Sequence, residues 1–202
     1  MKLGIFIDLD PVFIKKIKIW KNLVFKKFGR QTYIDHPEHI TLLTIDIKKS
    51  KAKNLNKKTI NFLLQKNIQI LSNSKKIFYD DPLTKGDTFV YKINKNYKLN
   101  KLQLDLLDNL SEYRGITKSK IKNHQLKNNY IKYGYFFVGK SWIPHATIAS
   151  IKFKDNKKVT KFKKIFFDNK ETFKFELKSI SFWNISSNKH KKLFTIKLNE
   201  KS

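Results

Sequence analysis

The chain has 202 residues, 40% of them hydrophobic and 14% aromatic, a composition that can bury a core and excludes a disordered polymer. It contains no cysteine, which excludes disulfides, iron–sulfur clusters, cysteine-based zinc sites and thiol nucleophiles. The net charge is +28, yet only two of the 44 basic residues are arginine, Arg30 and Arg114. Such a field attracts polyanions, but a lysine excess alongside abundant Asn, Ile and Phe is also the residue set of an AT-rich genome, and arginine, the better phosphate reader, is nearly missing.

Residues 3–9 read as an opening strand: the apolar run is interrupted by Asp8 and followed by Asp10, unlike the core of a signal peptide. Residues 11–28 read as a helix, with Asp10 as cap, Pro11 at the first helical position, Phe13, Ile14, Ile17, Trp20 and Val24 at helical spacing, and Gly29 as the stop. A short strand is expected at 32–34 and a longer one at 39–47. Residues 54–71 predict a second amphipathic helix. Residues 77–79 and 88–93 predict strands joined by a turn containing Pro82 and Gly86, and 99–113 a third helix with Leu102, Leu106, Leu107 and Leu110 on one side. The basic, poorly periodic stretch 117–132 reads as a surface loop. Strands follow at 133–138 and 145–153, a short helix at 159–167, and a closing hairpin from 173–185 and 192–198 around the loop 186–190. Strands mixed with helix-length connections give an α+β or α/β class. No run approaches the ~18 apolar residues of a membrane span, so the expectation is a soluble, cytoplasmic monomer with no membrane partner.

Two segments resemble each other. His39-Ile40-Thr41-Leu42 and His145-Ala146-Thr147-Ile148 both read His-apolar-Thr-apolar, and Pro37 and Pro144 stand just before them. On a strand, residues two apart share a face, so each motif presents one imidazole and one hydroxyl together, about 7 Å apart, while the interleaved residues point into the core. Facing each other across a cleft, two such strands suit phosphoryl transfer without a metal. One neutral histidine takes a proton from the nucleophile, one protonated histidine gives a proton to the leaving oxygen, and the threonines donate to the non-bridging oxygens.

These motifs resemble the signature pair of the 2H phosphoesterase superfamily, which includes the 2′-5′ RNA ligase-like proteins and RNA 2′,3′-cyclic phosphodiesterases. The opening strand and long helix before the first motif, in Tyr-Ile-Asp-His-Pro-Glu-His-Ile-Thr-Leu, and the surroundings of the second, Trp-Ile-Pro-His-Ala-Thr-Ile-Ala, are also similar. The resemblance implies one bilobal α+β domain over residues 1–202, with two sheet-plus-helix lobes, a pseudo-two-fold axis, a central cleft and one motif per lobe. It implies His39, His145, Thr41 and Thr147 as the catalytic set, no cofactor and no metal, and RNA or a cyclic oligonucleotide as substrate. The alternative is an RNA-binding module that keeps the fold without turnover.

Tyr33 and Trp142 flank the motifs and could stack on a base, although packing is the commoner role of such residues; Lys140 could touch a phosphate. Residues 134–141, Gly-Tyr-Phe-Phe-Val-Gly-Lys-Ser, match the P-loop pattern by letter. The interior Tyr-Phe-Phe-Val reads as strand, and Pro144 falls where the P-loop helix should run, so the match is rejected. Pro37 argues against a helical metal pair between His36 and His39, and His124 and His190 read as exposed loop residues.

Overall fold

The computed structural model describes residues 1–56, 67–115, 123–152, 156–186 and 190–198. Nine strands are found among them: β1 (Lys2–Asp8), β2 (His39–Asp46), β3 (Gln69–Ser72), β4 (Ser74–Phe78), β5 (Asp87–Lys92), β6 (His145–Ile151), β7 (Phe173–Glu176), β8 (Ser179–Asn184) and β9 (Lys191–Lys197). The four α-helices among them are α1 (Pro11–Phe28), α2 (Tyr97–Asn109), α3 (His124–Tyr133) and α4 (Asn156–Asp168). The class is α+β, with seven strands in one antiparallel sheet of order β4-β5-β6-β2-β1-β8-β9 and β3 paired with β7 in a small second sheet.

Local chemistry sets the helix ends. Asp10 accepts from Val12 N at 2.8 Å, Pro11 opens α1, and Gly29, at φ 70°, closes it. Asn96 and Asn123 cap α2 and α3 in the same way, through Leu99 N and Leu126 N. The buried stripe of α1, which includes Phe13, Ile17, Trp20, Val24 and Phe28, packs behind the sheet. Phe13 meets Tyr91 of β5 edge-on, while Trp20 and Phe28 meet Phe162 of α4. One apolar cluster gathers these side chains with Ile5 and Ile7 of β1, Ile40 and Leu42 of β2, and the leucines of α2.

Several elements depart from the sequence reading. The helix expected over 54–71 lies partly outside the described residues, at 57–66, but Gln69–Ser72 is strand, held by β7. The loop expected over 117–132 is helix from His124 onward, its earlier part at 117–122 lying outside the described residues; the side chain of Asn123 supplies the start. His124 is exposed as expected, but as a helical residue. The strand expected at 133–138 does not form. Gly134 turns the chain in the left-handed region at φ 68°, Phe136 folds back to stack on Tyr130 at 4.4 Å, and Asn129 donates to Phe136 O. The strand expected at 32–34 reduces to one bridge, Thr32 with Ser150, because Tyr33 is left-handed at φ 72°. The single strand expected over 173–185 is two, β7 and β8, serving different sheets.

Behind the sheet, Lys75 enters an aromatic enclosure. Its ammonium lies 4.5 Å from the Trp20 ring centroid and 5.0 Å from that of Phe166, and it donates to Phe166 O at 3.0 Å and Asn169 O at 2.6 Å. These bonds satisfy carbonyls at the C-terminal end of α4. Glu171 balances the charge. It pairs with Lys75 at 3.4 Å and with Lys16, and accepts from Tyr91 Oη at 2.5 Å. Removing one member of a buried ion pair leaves the other uncompensated, at a cost of about 3–5 kcal/mol. Glu171→Gln is therefore expected to lower the unfolding free energy by about 3 kcal/mol, read as a fall in the urea midpoint at unchanged slope.

Candidate active site

The two motifs begin β2 and β6, and these strands are joined at a single pair of Cα partners, Ile40 with Ala146. Both residues are fully buried and point to the helix side. In an antiparallel pair, that register sets His39 across from Thr147 and Thr41 across from His145, with all four on the opposite face. All four are half-buried. The imidazoles sit on one diagonal of the square and the hydroxyls on the other, and diagonal neighbours in a regular ladder are roughly 7–8 Å apart. The structure thus brings together the four residues that the motifs single out.

The surroundings repeat under an approximate two-fold axis through this pair. On one side β1 runs beside β2, with Asp8 opposite His39 and Phe6 opposite Thr41; on the other β5 runs beside β6, with Lys92 opposite His145 and Val90 opposite Thr147. Each ladder then carries a bulge, where Leu42 and Ile148 are the extra residues. The bulge falls on the last position of each His-apolar-Thr-apolar motif, bending the strand just beyond the polar pair.

Each imidazole is fixed by its own chain. His39 Nδ1 lies 2.7 Å from Pro37 O, and His145 Nδ1 lies 2.7 Å from Ile143 O. A carbonyl oxygen only accepts, so Nδ1 carries the proton in both rings and Nε2 is left as the reactive nitrogen. Phe6 packs on the His39 ring at 4.1 Å and Phe78 meets His145 edge-on at 5.1 Å. A lysine braces the approach to each motif. Lys21, buried on α1, donates to His36 O and pairs with Glu38 at 3.2 Å; Lys95 donates to Gly139 O at 2.6 Å and to Trp142 O at 3.2 Å.

Burial is the main force on the imidazole pKa values. It pulls His39 down to about 4, helped by the charges of His36, Lys21 and His145 and opposed by the Pro37 carbonyl. His145 is also lowered, first by burial and then by Lys76, while the Ile143 carbonyl and Asp81 act to raise it. Both rings are neutral at pH 7 without a ligand. An anion between them opposes burial and raises both.

Of the remaining sequence candidates, Tyr33 stands near the set. It is half-buried beside His36, with ring centroids 5.2 Å apart, and its hydroxyl pKa is raised by burial and by Asp81, the carboxylate that also acts on His145. A left-handed bulky residue is a costly conformation. His36 in turn meets His190 at 5.7 Å. Trp142 is not a stacking surface: it is 3% exposed, and its indole N–H donates to Thr41 O at 3.2 Å, which supports the first motif from within the core. Lys140 is exposed on the 3₁₀ turn Gly139–Ser141 and has no hydrogen bond to the four residues among those described. A helix precedes Gly134 where a P-loop needs a strand, and no α-helix starts at Lys140, so the P-loop match fails for a different reason than the strand anticipated there.

Asp8 and Asp81 were missed from sequence. Asp8 is held by Ser179 Oγ at 2.6 Å and Ser181 Oγ at 2.7 Å, beside His39. An acidic residue at an outward position of an otherwise apolar strand was its available signal. Among the described residues no three His, Cys, Asp or Glu side chains are grouped to hold a metal, and no helix is long and apolar enough to cross a membrane.

No family model and no curated protein sequence matches the chain. Solved structures do match it in fold. TT0787 of Thermus thermophilus superposes with a TM-score of 0.64 at 12% identity, covering 100% of both chains. LigT of E. coli, solved in complex with 3′-AMP, gives 0.56 at 15% identity over 98% of each chain. A structure described as a phosphoesterase gives the same values. The chain has the fold of these proteins, the α+β arrangement implied by its paired motifs.

The ring geometry makes a direct prediction. Nitrogen-15 NMR of the unliganded protein at pH 7 should show His39 and His145 neutral and protonated at Nδ1, with His39 titrating near pH 4. Saturating inorganic phosphate should move both pKa values upward; movement of neither would separate the two rings from any common anion site.

Proposed function

We propose that this chain, with a fold shared by phosphoesterase structures, is a metal-independent phosphodiesterase acting on a 2′,3′-cyclic phosphate or a 2′-5′ linkage of RNA or an oligonucleotide. The observation that carries the reading is the square of His39, Thr41, His145 and Thr147 on one face, centred on the Ile40–Ala146 pair. Two imidazoles on one diagonal can reach opposite sides of a phosphorus atom, while two hydroxyls on the other diagonal donate to its non-bridging oxygens. The nucleotide in one LigT structure supports a nucleotide-type substrate, as does a net charge of +28.

With a 2′,3′-cyclic phosphate, water is the nucleophile and a ribose oxygen is the leaving group. His39, held neutral by burial, takes a proton from water at Nε2 as the water oxygen bonds to phosphorus. The bond to one ribose oxygen breaks, and that oxygen takes a proton from Nε2 of His145. Asp81 acts to favour the protonated form of His145 and Lys76 acts against it, while the anionic substrate raises the pKa of both rings; we take His145 as the acid and His39 as the base. Thr41 and Thr147 hold the charge that develops on the phosphoryl oxygens. Tyr33 would border the bound nucleotide, and Lys140 would meet its anionic backbone.

Turnover should survive EDTA. Replacing either His39 or His145 by Ala should lower kcat/KM by ~10²–10⁴-fold, and the double variant should lose little more, because the two act as a unit. Thr41→Ala or Thr147→Ala should cost about 10²-fold or less. In the free protein both imidazole pKa values lie below the ordinary 6.5. The singly protonated form is therefore most populated on the acid side, so the kcat/KM optimum should lie below pH 6.5, with the kcat optimum higher because the bound anion raises both groups. Added salt should raise KM more than it lowers kcat. Product analysis on a 2′,3′-cyclic nucleotide, a 2′-5′ dinucleotide and a cyclic oligonucleotide decides the matter. Tight RNA binding without turnover would identify a binding module instead, and Mg²⁺-dependent ATP hydrolysis that survives loss of both histidines would restore the P-loop.

A further inference from the structure

The approximate two-fold axis relates the strands but not the charges on them. The position directly across from His39 is Asp8, whereas the equivalent position across from His145 is Lys92. One strand further out, Lys76 lies opposite Val90, which is itself opposite Thr147. Lys76 and Lys92 therefore project from the same face as the imidazoles, Lys92 one strand and Lys76 two strands beyond β6, or roughly 5 and 10 Å across the sheet. The Lys76 ammonium lies 5.1 Å from the Phe78 ring, which is itself 5.1 Å from His145. Neither lysine has a carboxylate partner among the described residues. Asp81, a carboxylate that acts on His145, already accepts from Leu83 N and Thr88 Oγ1.

From this asymmetry we infer that Lys76 and Lys92 form a second phosphate subsite beside His145, and that the substrate is a nucleotide carrying a further phosphate next to the one being cleaved. The inference rests on the phosphodiesterase reading and adds a direction to it. On the other flank of the square an approaching phosphate first meets the Asp8 carboxylate, whose bonds from Ser179 and Ser181 hold it in place, with Lys192 two strands further out over the Trp183 ring. That flank suits hydroxyl donors such as a ribose or the attacking water, which a carboxylate can accept from. The β4–β5 flank offers two unpaired cations to an anion. A chain bound across the sheet is thereby oriented, with its next phosphate toward β4.

The test compares a nucleoside 2′,3′-cyclic phosphate with and without a 5′-phosphate, so that charge is added without a second base. A dinucleotide ending in a cyclic phosphate forms a third arm. Wild-type kcat/KM should be about tenfold higher for the 5′-phosphorylated compound, as expected for hydrogen bonds to a charged group. In the Lys76→Gln/Lys92→Gln double variant that ratio should fall to near one, and the salt dependence of kcat/KM on the dinucleotide should weaken by about 0.7 logarithmic units per lysine lost. Lys26→Gln/Lys27→Gln, which removes the same charge from the exposed end of α1, should leave the ratio unchanged. If the wild type hydrolyses the compounds but shows no preference, or if the control lowers the ratio as much as the test variant, the subsite is wrong while the phosphodiesterase reading stands. If the wild type turns over none of them, both fall together.

Discussion

Ile40 and Ala146 are the only Cα partners between β2 and β6 among the described residues, and each is sealed from solvent. Their contact turns two separate antiparallel units, β4-β5-β6 and β2-β1-β8-β9, into one sheet. Because side chains alternate along a strand, burying these two residues on the helix side obliges His39, Thr41, His145 and Thr147 to face the other way. A slip of one residue at this junction would send all four into the core and bring the apolar residues out. The register is thus enforced by the hydrophobic effect rather than by the polar groups it displays. Trp142 strengthens it, since its buried indole holds Thr41 O from the second motif's approach.

Burial at the same junction shapes the chemistry. The rings that stand against Phe6 and Phe78 have lost water on one side, which disfavours imidazolium, and their Nδ1 atoms are already committed to carbonyls two residues earlier. What remains is a pair of Nε2 atoms whose protonation an anion bound between them, as in the proposed function, would favour. Lysine, so abundant in this chain, is used here for architecture as well as for field. Lys21 and Lys95 tie down the segments that enter each motif, and Lys75 closes the end of α4 inside an aromatic enclosure with Glu171. In each case the flexible stem carries the ammonium to backbone carbonyls, a role a compact point charge fills without arginine's planar fork.

The two halves of the sheet about the Ile40–Ala146 pair are alike in backbone and unlike in charge. Matching bulges at Leu42 and Ile148 and matching histidine–carbonyl bonds show the common plan. Asp8 and Lys92 at equivalent positions show where it was broken. A symmetric square would bind a phosphate in either sense; under the proposed function, the opposite charges on its flanks would give a preferred one.

Local pattern was enough for β1, α1, β2, β6 and α2, because caps, proline, glycine and apolar spacing there agree with the final packing. It was also enough to select His39, Thr41, His145 and Thr147, since a two-residue period assigns a common face without knowledge of the partner strand. Elements whose state depends on a distant neighbour were misread. Residues 69–72 are strand because β7 pairs with them, and the aromatic run after Gly134 is irregular because the glycine turns it back onto α3. The burial of Trp142, the strained turn at Tyr33 and the placing of Asp8 and Asp81 beside the imidazoles were likewise beyond local reading. The sequence by itself determined which side chains share a face, because that follows from backbone geometry within a few residues. Only the tertiary structure decided that the two faces are one, because a contact between residues 106 apart is chosen by how the whole core closes around Ile40 and Ala146.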